Sequence, residues 1–207
     1  MAPWGFRMEP HDQEAHRRWL PFVVLSTPDR STVHAHGEVD DRGLDIVEYD
    51  YSWCDSDGNP QSADAVLGVL HVPWSRGRAA IAMDERAWSG LQAALDVLFW
   101  IPPFTFLKLV QLANDTRRPD REIGHAEVDR RYRVHAESEA AARAAIPAKL
   151  GEHLLATNFR GAIEIRPDEV LFSLRDARFD PAGVEATIAH ARAIGRCFEP
   201  PESTPFR

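Results

Sequence analysis

The sequence predicts an α+β protein built on a mostly antiparallel sheet with helices packed on one face, and three features of the chain indicate this. Residues 44–53 alternate between apolar and polar side chains, as expected of a strand with one buried face. Residues 65–72, AVLGVLHV, are nearly all apolar, which is typical of a central strand buried on both faces. Helix-start signals at Ser138 and Asp180-Pro181 follow strand patterns in the second half, so strands and helices are mixed along the chain.

The first half of the chain divides into an N-terminal arm, residues 1–30, and a β-rich unit, residues 31–116. Strands are predicted at 31–39, 44–53 and 65–72. The second strand has an apolar side, Val47, Tyr49, Tyr51 and Trp53, and a polar side, Glu48, Asp50 and Ser52. A helix is predicted from Asp84 to about Phe99, before Pro102-Pro103. Residues 104–114 are predicted to form a second helix, with a strand as the alternative.

The second half, residues 122–198, predicts the order β-α-β-β-α after a charged linker at 117–121. Its first strand carries Val128, Tyr132, Val134 and Ala136 on one face. A helix starts after Ser138, and Pro147 begins a second short helix that runs to Ala156. Two strands around 163–165 and 170–174 form a hairpin, and Asp180-Pro181 opens a helix that ends near Phe198. Residues 199–207 form a tail that is predicted to be disordered, and both halves are expected to form one compact unit.

The composition excludes several classes of protein. Of the 207 residues, 44% are hydrophobic and 27% charged, which is typical of a soluble globular chain. A formal net charge of −8 repels phosphate backbones, so nucleic acid is not an expected partner. No signal peptide is seen, and the most apolar window, residues 97–112, is too short and too broken by prolines for a transmembrane helix. We therefore expect a cytoplasmic protein.

Residues 33–60 offer a first candidate site, because two histidines two positions apart precede a run of acidic residues. If Asp41-Arg42-Gly43 is a three-residue hairpin loop, His36 lies opposite Glu48 and His34 lies opposite Asp50. These four side chains could form cross-strand pairs on a solvated face, or they could bind a divalent metal or provide a general base. A calcium loop over 55–66 is excluded, since Pro60 and Val66 replace the required glycine and glutamate. His71, at the end of the apolar strand, is predicted to be a hydrogen-bonded core histidine.

A second candidate site is the aromatic segment, which we define as residues 97–112, VLFWIPPFTFLKLVQL. It concentrates four aromatic side chains around the Pro102-Pro103 corner: Phe99, Trp100, Phe104 and Phe106. These rings could complete the core. They could also form an exposed patch that contacts a protein partner, a second copy of the chain or a membrane surface.

The assembled pattern resembles a family of uncharacterised proteins from GC-rich Gram-positive bacteria. The resemblance covers about residues 33–198 and rests on Gly43 with the strand VEYDYSW, then Val66–Val72, VDRRYRVHA at 128–136, the helical stretch 140–155, the hairpin 163–174 and Asp180-Pro181. Family members often carry transmembrane helices, which are missing here, and residues 102–120 look like an insertion. The family has no established activity, so the resemblance implies no catalytic residues and no cofactor.

Three functions follow from these observations as hypotheses. The leading one is a non-enzymatic accessory protein whose aromatic segment binds a protein partner or a second copy of the chain. The second is a metal-dependent or histidine-based enzyme centred on His34, His36, Glu48 and Asp50. The third is a lipid or small-ligand pocket lined by Trp88, Phe99 and Phe104.

Overall fold

Eight strands and four helices make up the part of the chain that the computed structural model describes, namely residues 5–9, 19, 30–54, 60–73, 75, 77–83, 121–174 and 177–199. The strands are β1 Arg7–Glu9, β2 Arg30–Val39, β3 Arg42–Cys54, β4 Pro60–His71, β5 Ala79–Met83, β6 Tyr132–Ala136, β7 Gly161–Arg166 and β8 Glu169–Leu174. The helices are α1 Ala126–Arg131, α2 Glu139–Ala145, α3 Ala148–Ala156 and α4 Pro181–Cys197.

All eight strands belong to one sheet, in the order β1-β2-β3-β4-β8-β7-β5-β6, and every neighbouring pair is antiparallel. The long strands β2, β3 and β4 form a meander that carries the candidate site. The pairing of β4 with β8 joins the two halves of the chain, so the sheet is continuous from one half to the other.

The helices pack on one face of this sheet, which we call the helix face. Its core combines helix side chains such as Leu150, Leu154 and Val184 with strand side chains such as Ile46 and Phe172, and all five are at most 2% exposed. The opposite face, which we call the open face, carries a second buried cluster: Trp19, Val47, Tyr49, Leu67, Val69 and Leu171. The predicted α+β class is therefore confirmed, and β4 is buried on both faces as the sequence indicates.

The second half follows the sequence prediction closely because capping residues mark its helix starts. The side chain of Ser138 accepts a hydrogen bond from the N–H of Ala141, and that of Asp180 accepts one from the N–H of Gly183. Pro147 separates α2 from α3, as predicted. The hairpin of β7 and β8 turns at Pro167 and Asp168, whose φ of 63° suits a tight turn.

Three features of the fold differ from the sequence prediction. Residues Arg7–Glu9 of the supposed N-terminal arm form the edge strand β1, which pairs with β2, and Trp19 is only 1% exposed. The strand β5 was not predicted. Val128 lies in the short helix α1 rather than in the strand that begins at Tyr132.

The helices predicted after Asp84 and most of the C-terminal tail lie outside the described residues. Within the described ranges, no helix is long and apolar enough to cross a membrane.

Two histidines meet at the contact between α3 and α4 and give this contact a pH dependence. The rings of His153 and His190 lie 5.8 Å apart, and Phe159 packs 5.4 Å from His190. Burial lowers the pKa of both histidines, and for His190 the neighbouring His153 lowers it further. Each ring is therefore held neutral in the folded protein at a pH where the unfolded chain would bind a proton.

We expect this pair to destabilise the protein as the pH falls. Because the folded pKa lies below the unfolded value of about 6.5, the stability contribution is complete above that pH and is lost below it. Thermal melts at pH 7.5 and 5.5 should show a larger drop in the wild type than in His190→Gln, which removes one titrating group and the repulsion between the rings. An equal drop in both proteins would contradict this prediction.

Candidate functional site

The candidate site is set by the turn between β2 and β3, which is tighter than predicted. Asp40 and Asp41 have φ values of 50° and 61°, so they form a two-residue turn of the type that suits a hairpin, and Val39 pairs with Arg42. Gly43 lies within β3 rather than in the turn. The predicted three-residue loop is therefore wrong, and the register of the hairpin is shifted by three residues.

The new register replaces both predicted cross-strand pairs. His36 lies opposite Asp45, not Glu48, and His34 lies opposite Val47, not Asp50. Because side chains alternate along a strand, the two histidines share the open face with Asp45 and Tyr49. Tyr49 is buried, as predicted, but the imidazoles lie on its side of the sheet and not on the reverse side with Glu48.

Three imidazoles converge on the carboxylate of Asp45, in an arrangement that we call the Asp45 cluster. Oδ1 of Asp45 lies 2.8 Å from Nε2 of His34 and 2.9 Å from Nδ1 of His36, both on β2. Oδ2 lies 2.9 Å from Nε2 of His71, at the end of β4. Three adjacent strands thus supply one cluster, and the hydrogen bonds cross-link them through their side chains.

Gly43 makes room for the third imidazole. A Cβ at this position would lie 2.9 Å from Cδ2 of His71, closer than carbon atoms normally approach. The ring of His71 therefore lies across the glycine and reaches Asp45 diagonally, since Asp45 itself pairs with Val69. The glycine that the sequence assigned to a turn instead provides space beside the site.

The electrostatics of the Asp45 cluster determine which of its oxygen and nitrogen atoms carry a proton. Burial alone would raise the pKa of Asp45, but the hydrogen bonds from His34, His71 and His36 outweigh it and hold the pKa well below its usual range. The carboxylate is therefore ionised and can only accept hydrogen bonds. Each of the three nitrogen atoms that face it must carry a proton, which assigns the tautomer of every neutral ring in the cluster.

Two more carboxylates stand behind the imidazoles. Oε2 of Glu9, on β1, lies 3.6 Å from Nδ1 of His34, and Oε1 of Glu169, on β8, lies 3.9 Å from Nδ1 of His71. The ring of Trp19 packs edge-on against His34 with centroids 5.7 Å apart. His34 is consequently enclosed, whereas the side chain of His36 is 47% exposed and that of His71 31% exposed, so the cluster opens to solvent on their side.

Glu48 and Asp50, the two acids that the sequence placed beside the histidines, lie on the helix face. Glu48 accepts hydrogen bonds from Oγ1 of Thr32 at 2.7 Å and from the N–H of Phe179 at 3.4 Å. Asp50 pairs with Asp64 across the β3–β4 ladder. Desolvation, the hydrogen bond that the protonated Asp64 carboxyl donates to Asp50, and the negative charges of Glu48 and Asp50 raise the pKa of Asp64. The structure therefore does not bring the four predicted residues into one site.

Asp45 was not predicted as a site residue, and the surroundings predicted for His71 are wrong. His71 is hydrogen-bonded, as predicted, but it faces a polar cluster that is partly open to solvent rather than the core. The sequence does contain a signal for the observed two-residue turn. Asp40 and Asp41 are residues that tolerate positive φ better than most. A two-residue turn there places Asp45 opposite His36 directly.

Neither of the other two functional hypotheses is tested by these residues. The aromatic segment with Phe99, Trp100, Phe104 and Phe106 lies outside the described residues, as does Trp88 of the hypothetical ligand pocket. In the described part of the chain, no group of three or more histidine, cysteine, aspartate or glutamate side chains could hold a metal ion. In the Asp45 cluster, the carboxylate itself occupies the point on which the imidazoles converge.

Comparison with known proteins gives a fold but no family. No protein-family model matches the chain, and no curated protein matches its sequence. A solved structure with a similar fold is the crystal structure of the mycobacterial trehalose monomycolate transport factor A, TtfA. The two share 14% sequence identity with a TM-score of 0.54, over 95% of this chain and 89% of the other. At this identity the likeness shows a shared fold alone.

Proposed function

We propose that this protein is a non-enzymatic accessory factor that acts by binding a protein partner through the aromatic segment. The observation that carries the proposal is the fold likeness to TtfA along nearly the whole of both chains. TtfA is named as a transport factor and not as an enzyme. Because one fold can host unrelated functions, the proposal also needs support from the residues of this chain.

The Asp45 cluster supports a structural role for the only histidine group that the sequence offered as a catalytic site. A catalytic histidine needs a nitrogen atom directed at a substrate. In this cluster one nitrogen atom of each ring is bonded to Asp45, and the second nitrogen atom of the enclosed His34 faces Glu9. This arrangement cross-links β2, β3 and β4, and it is how buried polar groups stabilise a fold.

The chemistry of the aromatic segment supports the binding role. Phe99, Trp100, Phe104 and Phe106 fall within eight residues of sequence, interrupted by Pro102-Pro103. Tryptophan is enriched among the few residues that carry most of the energy of protein interfaces, and large apolar rings fill pockets on the partner. The two prolines restrict the backbone between the rings, which lowers the entropy lost when the segment is immobilised on a partner.

The double substitution Trp100→Ser and Phe104→Ser tests this proposal. We expect recovery of the specific partner from lysate of the native host to fall at least about tenfold, since each interface anchor typically contributes more than 1 kcal/mol. Light scattering on the same proteins should report whether the partner is a second copy of the chain. Met8→Ser is the matched control, because it removes an apolar side chain that is 48% exposed and far along the sequence from the segment.

Two outcomes would contradict the binding role. If the double variant loses its cooperative thermal melt, the rings belong to the core and not to an interface. If it melts like the wild type and recovers the same partner as Met8→Ser, the segment does not bind that partner. A lipid or small molecule found by native mass spectrometry in the wild type, and lost in the double variant, would support the ligand-pocket hypothesis instead.

A further inference from the structure

We propose that the open face of the sheet is a docking surface for an apolar peptide segment, and that residues 20–25 of this chain, LPFVVL, occupy it with Trp19 as their anchor. We call residues 10–29 the N-terminal segment. The inference goes beyond the proposed partner-binding function and is independent of it, because it does not use the aromatic segment.

Trp19 holds the middle of the N-terminal segment on the open face. Its side chain is 1% exposed, and its ring packs edge-on against His34 of β2 with centroids 5.7 Å apart. An indole buried to this extent is typical of an anchor that holds a peptide on a surface. The other members of its buried cluster come from β3, β4 and β8: Val47, Tyr49, Leu67, Val69 and Leu171.

One indole is too small to cover this cluster. Val69 pairs with Leu171, Leu67 pairs with Val47, and Tyr49 lies two residues further along β3. At ordinary strand spacings the patch measures about 10 Å across the strands and about 13 Å along them. All five side chains are nevertheless at most 2% exposed in the single chain. More apolar surface than that of the indole is therefore needed to exclude water from the cluster.

The ends of the N-terminal segment lie where residues 20–25 can supply this surface. Glu9 ends β1 and Arg30 begins β2, and these two strands form one edge of the sheet. Trp19 lies on the face beside His34, which is four residues from Arg30 along β2, or about 13 Å. The eleven residues from Trp19 to Arg30 can span about 36 Å. The chain is therefore long enough to cross the cluster and return to the edge.

The composition of the N-terminal segment singles out residues 20–25. They follow Trp19 directly and contain no charged or polar side chain, whereas residues 11–18, HDQEAHRR, are almost all polar. Contact between this run and the open face removes apolar surface of both from water. Pro21 lies within the run and Pro28 follows it. Because proline has no backbone N–H, fewer donors need a partner where the chain lies on side chains.

The same cover accounts for the uneven exposure of the Asp45 cluster. The side chain of His34, beside Trp19, is 11% exposed, but that of His36 is 47% exposed and that of His71 31% exposed. Both exposed rings lie on the side of His34 that is nearer the β2–β3 turn. The docked segment thus covers the cluster as far as His34. The ligand that fits this face is an apolar segment led by an indole.

Phe22→Ser in the full-length chain tests the docking. We expect the melting temperature to fall by about 5 to 10 °C, because the largest side chain of the run leaves an apolar surface. Met8→Ser is the matched control, since it removes an apolar side chain that is 48% exposed from the same end of the chain. Its melting temperature should stay within about 2 °C of the wild type.

A labelled peptide of residues 17–29, RRWLPFVVLSTPD, separates docking from a general loss of stability. In Trp19→Ser the tethered segment loses its anchor, so the peptide should bind one per chain. Wild type should bind it at least about tenfold more weakly, because its own segment competes at an effective concentration on the order of millimolar. The peptide that carries Trp19→Ser should bind neither protein. If Trp19→Ser has no cooperative melt, Trp19→Phe, which keeps a smaller ring, replaces it in this experiment.

Two outcomes would overturn the proposal. One is a Phe22→Ser variant that melts like Met8→Ser, and the other is a peptide that fails to bind the Trp19 variant. A normal melt in Phe22→Ser together with a lost melt in the Trp100→Ser and Phe104→Ser variant would assign the face to the aromatic segment instead. The first two outcomes leave the partner-binding proposal untouched, because that proposal is judged by Trp100 and Phe104.

Discussion

Asp45→Ala is expected to lower the free energy of unfolding by about 2 to 3 kcal/mol, since it removes a charged hydrogen-bond acceptor and leaves the enclosed N–H of His34 without one. The substitution deprives three imidazole N–H groups of their common acceptor. His34 is enclosed by Trp19 and Glu9, so water cannot readily replace the lost partner there. The loss should be largest at the β2–β3–β4 end of the sheet, where the three strands lose a shared cross-link.

Chemical denaturation at pH 7 measures this effect. Asp45→Asn should lose less, because an amide keeps an acceptor oxygen at nearly the same place but not the charge. Asp64→Ala is the matched control on the neighbouring strand: Asp64 is exposed, and its carboxylate is disfavoured by Glu48 and Asp50. It should be neutral or slightly stabilising. If Asp45→Ala and Asp64→Ala differ by less than about 1 kcal/mol, Asp45 does not stabilise the fold as an electrostatic centre.

The second half of the fold was predictable because its signals are local. Side-chain caps at Ser138 and Asp180 fix where α2 and α4 begin, and Pro147 can only begin a helix or break one. The β7–β8 hairpin is read from two short apolar runs around one turn. The caps act within three positions of the chain and the hairpin spans only Gly161–Leu174, so no knowledge of distant contacts is needed.

The strands that were missed depend on distant partners. The sequence AAIAM of β5 is short and rich in alanine, which does not favour strands, yet β5 is held by β6 on one side and β7 on the other. Three residues of β1 are ordered by pairing with β2. Val128 fits the alternation of a strand, but the side chain of His125 accepts a hydrogen bond from its N–H and starts the helix α1. In each case tertiary context overrides the local preference.

The histidines of the candidate site could be predicted from the sequence, but their partners could not. The pair His34 and His36 is visible in the sequence, but its partners depend on the hairpin register, and an error of three residues moves every side chain to the other face. Polarity could not fix that register, because β3 buries Ile46 on the helix face and Val47 and Tyr49 on the open face. Only the turn at Asp40 and Asp41 distinguishes the two registers.

The contact between Gly68 and Phe172 carries the other large expected effect, at the pairing of β4 with β8 that joins the two halves of the chain. The two residues lie opposite each other, and a Cβ on Gly68 would overlap the ring of Phe172. Phe172 is only 1% exposed and cannot leave the core under the helices. We expect Gly68→Val to lower the free energy of unfolding by about 3 kcal/mol through overpacking, although valine itself favours strands.

A double-mutant cycle separates this steric effect from a general intolerance of the site. Phe172→Ala alone should cost about 3 to 5 kcal/mol, because it leaves a cavity in the core. In the double variant the valine side chain enters space that the ring has vacated. The total loss should therefore be smaller than the sum of the single losses, by about 1 to 2 kcal/mol. Additive losses by chemical denaturation would mean that Gly68 is required for its backbone and not for the ring that lies across it.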